Sequence, residues 1–209
     1  MKRLTAALLA SALVFGCSAC AAPQSPPPAE LHEEEPSTAE IAQQAYDCIE
    51  NAESLCKSGM GIIDAAWHFG IWDAPECGAD AVMEQLSEQT GFDVSFLEQN
   101  GGYTADELAN GDGTLAGWEY CLTATENCLS ASGTYAAVDE ALNTAQELIR
   151  GLPADDPNFQ SLKDYYTEVA AYAAYFENVS GSYNDLTAAI TRHESDIQTA
   201  KKPLLFDFG

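Results

Sequence analysis

Between Val169 and Ile197 the apolar and aromatic residues return in unbroken alternating steps of three and four, through Tyr172, Phe176, Val179, Tyr183, Leu186, Ile190 and His193. Residues three and four apart share one face of a helix. Keeping that 3.5-residue period over several heptads imposes left-handed supercoiling against neighbouring helices. A second stripe runs through Ile41, Ala45, Cys48, Ala52, Leu55, Gly59, Ile62, Ala66 and Phe69, widened by Ile49, Cys56, Ile63 and Trp67. A third holds Leu115, Trp118, Leu122, Thr125 and Leu129, then shifts phase before Tyr135, Val138, Leu142, Ala145 and Ile149. The two-residue alternation of a half-buried strand is nowhere sustained, so the pattern predicts an all-α chain.

Local signals set the expected boundaries. Ser37-Thr38-Ala39-Glu40 reads as a capping box that starts the first helix, and Pro75 ends it by about Asp73. Within it, Gly59-Met60-Gly61 either weakens the helix or marks a close helix approach. Ala79–Thr90 reads as a short helix stopped by Gly91. Residues 92–113 read as irregular, with glycine turns at Asn100-Gly101-Gly102 and Asn110–Gly113 and a short capped turn at Thr104–Glu107. A long helix is expected over Thr114–Arg150, closed by Gly151 and Pro153, and another restarts at Asp156-Pro157. The expected domain, residues 37–202, is therefore a coiled-coil-like bundle of three long antiparallel helices. A short helical insertion separates the first two, and residues 203–209 form a tail.

The N-terminus has a different composition. Lys2 and Arg3 precede the uncharged run Leu4–Phe15, which is shorter than the roughly 20 apolar residues of a membrane span and matches the apolar region of an export signal. Val14-Phe15-Gly16-Cys17 resembles the lipobox of bacterial lipoproteins, although Phe15 is larger than that motif prefers. Cys20, preceded by Ser18 and Ala19, is the alternative acceptor, and an ordinary secretory cut near Ala19 or Ala22 is the other reading. The resemblance implies a signal peptide over 1–16, diacylation of Cys17 and anchoring of the mature chain to the cell membrane. The helical part likewise resembles uncharacterised lipoproteins of Gram-positive bacteria. Ala21–Pro36 is rich in proline and carries Glu33-Glu34-Glu35, the composition of an extended, self-repelling tether across 17–36.

With 33 acidic against eight basic residues the net charge is −25. That excludes a nucleic-acid binder and direct adhesion to anionic lipid, both of which need clustered Lys and Arg. It suits a repelled extracytoplasmic surface, or one that collects cations.

Beyond Cys17 and Cys20, five cysteines remain. Cys48 and Cys56 sit roughly 12 Å apart on one helix, too far to bridge, and Cys121 and Cys128 have the same problem. Facing residues of antiparallel helices share a constant index sum, and the pairs 48/128 and 56/121 agree to within one residue. In an oxidising compartment this predicts two disulfides, Cys48–Cys128 and Cys56–Cys121, with small buried thiols as the alternative. Cys77 is left to pair with Cys20 or to remain free.

Two sets of residues are candidate sites. Trp67, His68 and Trp72 crowd the end of the first helix; the same register brings Trp118 toward them, and the last helix, running back, is expected to bring His193 near Leu115. They form either an aromatic pocket for a protein partner, at the membrane-distal end, or a plug closing the core. Asn110, Asp112, Thr114 and Glu119 overlay the later positions of a calcium-binding EF-hand loop, with Leu108 where the first aspartate belongs. Asn178-Val179-Ser180 matches the glycosylation triplet but reads as mid-helix. No nucleophile elbow, phosphate loop, dinucleotide motif or zinc-protease motif occurs, and no cofactor is implied. The expected function is a non-enzymatic, membrane-tethered binding or scaffold domain, with a calcium or small-ligand binder as the alternative.

Overall fold

The computed structural model describes residues 36–208, so the leader, Cys17, Cys20 and the Pro/Glu segment before Pro36 lie outside the described residues. Every regular element among the described residues is a helix, and none is long and apolar enough to cross a membrane. Helix α1 (Thr38–Trp72) is 35 residues long, about 50 Å from end to end. Its start is the capping box: Ser37 Oγ accepts from the Glu40 amide at 3.3 Å, and the Glu40 carboxylate accepts from the Ser37 amide at 2.7 Å. The insertion holds α2 (Ala74–Cys77), α3 (Val82–Thr90), α4 (Val94–Asn100) and α5 (Ala105–Asn110). The stretch read as irregular is thus partly helical, and α5 begins at Thr104, whose hydroxyl accepts from the Glu107 amide.

The two later long helices are each broken. The second becomes α6 (Gly117–Ala131) and α7 (Thr134–Gly151), separated by Ser132 and by Gly133 at φ 79°. The phase shift between Leu129 and Tyr135 falls at this break. The third becomes α8 (Phe159–Phe176) and α9 (Tyr183–Lys201), separated by a reversal through Gly181 at φ 103°. Ser182 restarts the chain as an N-cap, its hydroxyl accepting from the Asp185 amide. The continuous heptad through Val179 is thus two helices packed on each other, and the reversal moves the later stripe residues away from their expected neighbours. Asn178 accordingly lies in the exposed turn after α8, not within a helix.

These pieces make an up-down-up-down bundle. Helices α6 and α7 follow one another antiparallel to α1, α8 runs alongside α1, and α9 returns. The directions follow from named contacts. Gly70 meets Trp118 and Cys121 of α6, Phe176 of α8 fills the space over Gly59, and Lys201 of α9 reaches Glu50. A Cβ on Gly59 would stand 2.2 Å from the Phe176 ring, and one on Gly70 would stand 2.8 Å from the Trp118 Cα. Both glycines therefore mark close approaches of α1, whereas Gly61 faces open space.

The Gly70 contact also corrects the disulfides. It sets Cys121 against Gly70, two heptads and about 21 Å beyond Cys56. The pairings Cys48–Cys128 and Cys56–Cys121 do not form: Cys48, Cys56, Cys77, Cys121 and Cys128 are free thiols. The near-equal index sums reflected similar spacing within each pair, eight and seven residues, and carried no information on which register the helices adopt. A second apolar cluster, around Phe69, Leu86, Leu97, Leu108 and Cys121, seats the insertion against α1 and α6. Asn127 ties it down by donating to the Gly101 carbonyl at 2.9 Å.

One carboxylate is buried in the main core. Glu53, only 4% exposed, accepts from Lys57 at 2.5 Å, from Lys201 at 3.2 Å and from the Tyr165 hydroxyl. Lys201 also reaches Glu50 at 2.8 Å and lies 5.6 Å over the Tyr46 ring. Burial raises the Glu53 carboxyl, but hydrogen bonds from Lys57 and Tyr165 and the Lys201 charge outweigh it and leave the group below its ordinary value. The residues expected as a tail close over this node, with Leu204 buried and Phe208 stacked on Tyr46 at 5.2 Å.

Candidate functional site

The last two turns of α1 and the first turns of α6 and α9 meet in a cluster of rings. Trp67 is buried and lies flat against Trp118, centroids 5.7 Å apart and planes within 6°. Tyr183 stands edge-on to Trp67 at 6.1 Å and to Trp72 at 5.2 Å. His68 packs on Trp72 at 4.5 Å and directs Nδ1 toward Asp73 at 3.9 Å. Trp67, His68, Trp72 and Trp118 thus come together, and Tyr183 joins them. The sequence placed Tyr183 on a core stripe and so hid its role. The signal that would have exposed it is the Gly181-Ser182 stop and restart, which makes Tyr183 the first residue of a helix beginning at this end.

His193 does not join the cluster. It lies mid-bundle between α8 and α9, stacked 5.4 Å from Tyr172 and 5.6 Å from Tyr175. The reversal at Gly181 carries it there, because α9 must run ten residues back along α8 before reaching position 193. Burial, reinforced by Arg192, lowers its pKa, so the ring favours its neutral form. It is a packed, structural histidine.

The cluster is sealed on one side and open on the other. Trp72 is 48% exposed and Leu115 44%, whereas Trp67 is 2% exposed. Next to the Trp67–Trp118 stack runs a groove of about 290 Å³, whose far wall is the Val179–Gly181 turn. Glu119 and Glu126 line it. Burial raises the Glu126 carboxyl above its ordinary value, and among the described residues no cation pairs with it. One turn before Trp67 on α1, Asp64 has one carboxylate oxygen buried and unpartnered among the described residues. Burial, then a hydrogen bond to Asp64 and its charge, push the Tyr183 hydroxyl up. Flat aromatic faces between desolvated carboxylates favour a positively charged guest, through the ring quadrupole and through the charges themselves.

The calcium reading fails on geometry. Asp112 accepts from the Thr114 amide at 2.8 Å, from the Thr114 hydroxyl and from the Leu115 amide at 3.2 Å, which holds its carboxyl well below the usual range. Glu119 turns back to the Ala116 amide at 2.8 Å, and Leu108 is buried in the core of the insertion. Asn110 ends α5. The segment is a turn followed by a capped helix start, and no group of ligating side chains able to hold a metal occurs among the described residues. Comparison with known proteins leaves the site to be judged on its own geometry, since no family model, no curated protein and no solved structure matches the chain.

Proposed function

We propose that the protein is a membrane-tethered extracytoplasmic module that acts by binding rather than by catalysis, and that its aromatic end receives a protein segment presenting Lys or Arg side chains. The observation that carries this reading is Trp72, nearly half exposed within a cluster that buries Trp67 completely. A plug for the core would have gained by covering that ring, since burying apolar surface is worth about 25 cal/mol per Å². Exposed Trp and Tyr are the residues that anchor interfaces. Glu126, which lines the neighbouring groove, and the partnerless oxygen of Asp64 supply the complementary charge. The lipobox-like Cys17, or Cys20, supplies the address, and the Pro/Glu segment up to Pro36 supplies the reach.

Titration of the purified protein with a Lys/Arg-rich peptide, followed by tryptophan fluorescence, tests the reading. Saturable quenching is expected, weakened at least tenfold by Trp72→Ala and by Glu126→Gln. Quenching of equal midpoint in both variants would remove the aromatic end from consideration.

A further inference from the structure

A second recess lies at the opposite end of the bundle, between the last turns of α7 and the first turns of α8, with a volume of about 340 Å³. Its walls come from Ile149, Phe159 and Tyr166, an almost wholly apolar lining. Its rim carries Arg150 and Lys163, with Gln146 beside them. The volume falls within the roughly 300–1,000 Å³ of small-molecule sites, which combine apolar walls with a few convergent polar groups.

The charge is what singles this recess out. The chain has 33 acidic residues, yet no Asp or Glu among the described residues lines this wall. Of the few basic residues, Lys57 and Lys201 are spent on Glu53. Arg150 is held by Glu147 at 2.5 Å on the solvent side, and its other nitrogens stay open. Lys163 has no carboxylate within salt-bridge distance among the described residues and stands 5.4 Å over the Phe159 ring. That posture keeps the ammonium at the mouth of the apolar wall. In a strongly negative protein, two cations flanking an apolar recess repel each other and are tolerated most easily where an anion sits between them.

We infer that the α7–α8 recess binds a small amphipathic anion, its carboxylate or phosphate held between Arg150 and Lys163 and its apolar body lying on Ile149, Phe159 and Tyr166. The recess is sized for a single acyl or aryl group, which commits the site to a free small molecule rather than to a bilayer surface. This site is independent of the aromatic end, and either can fail without the other.

Octanoate is the probe, with octylammonium as its charge-reversed control, followed by NMR shifts of the Ile149 methyl groups and by calorimetry. The expected result is saturable octanoate binding, no saturable octylammonium binding, and at least a tenfold loss of octanoate affinity in the Arg150→Gln/Lys163→Gln double variant. Thermal denaturation confirms that the double variant is folded, since both side chains are exposed. Equal binding of the two probes, or unchanged affinity in the double variant, would overturn the inference. So would co-sedimentation with phosphatidylglycerol vesicles that the double variant loses, because the cations would then serve a membrane surface.

Discussion

Glu53 illustrates how a single buried charge is made tolerable in this molecule. Its two oxygens are shared among Lys57, Lys201 and Tyr165, drawn from three different helices. Neutralising it leaves Lys201 with Glu50 as its one carboxylate partner and replaces the charged acceptor of the Tyr165 hydroxyl by a neutral amide. Glu53→Gln is therefore expected to cost about 3 kcal/mol at pH 7, read from urea unfolding. The pH dependence has a definite sign. The carboxyl titrates below its ordinary 4.5 when folded, so its contribution is complete above that value and is lost as pH falls through the lower folded value. The stability gap between wild type and Glu53→Gln should accordingly narrow as pH falls below about 4.5, and a gap constant from pH 7 to pH 3 would contradict the assignment.

At the scale of elements, helix type was legible in the sequence and helix continuity was not. The three-four stripes located the helical faces, and Ser37 and Thr104 announced their capping boxes. A strict heptad, however, runs equally well through one long helix or through two that fold onto each other, because both bury the same stripe. Val179 kept the pattern intact across a turn, and only Gly181 and Ser182 marked the reversal. The register of α1 on α6 was hidden because similar cysteine spacings do not select an offset, and the choice is made by the close approach at Gly70. Two alanine substitutions separate these effects. Gly70→Ala should destabilise by about 1–3 kcal/mol through overpacking against the Trp118 backbone. Gly61→Ala meets nothing within 4 Å and should stabilise by up to about 1 kcal/mol through helix propensity. Thermal unfolding of the two variants gives opposite shifts if the register is right.

The whole molecule places its two open recesses toward opposite ends. The ring cluster and its groove occupy the Trp72 end, the cationic recess the other, and the Glu53 node lies between them. The thiols report on this packing. Burial, with Glu177 and Glu53 beyond it, pushes Cys56 up to about 12, and burial with Cys77 beyond it does the same to Cys121. Under native conditions at pH 8, an alkylating reagent should label Cys48 and Cys77 first and Cys56 and Cys121 only on unfolding, as read by peptide mass spectrometry. A 48–128 or 56–121 bridge in unreduced peptides would contradict the fold.

The stacking of Phe208 on Tyr46 brings the last described turn within reach of the first, since Ser37 lies only nine residues, about 13 Å, before Tyr46. A short flexible loop from residue 208 to residue 37 could close the backbone into a ring, and a cut between Asn178 and Gly181 would then reopen it outside every helix. Such a circular permutant would begin at α9 and end at α8 with the same helices side by side. The order in which these helices are strung is separable from the way they fit.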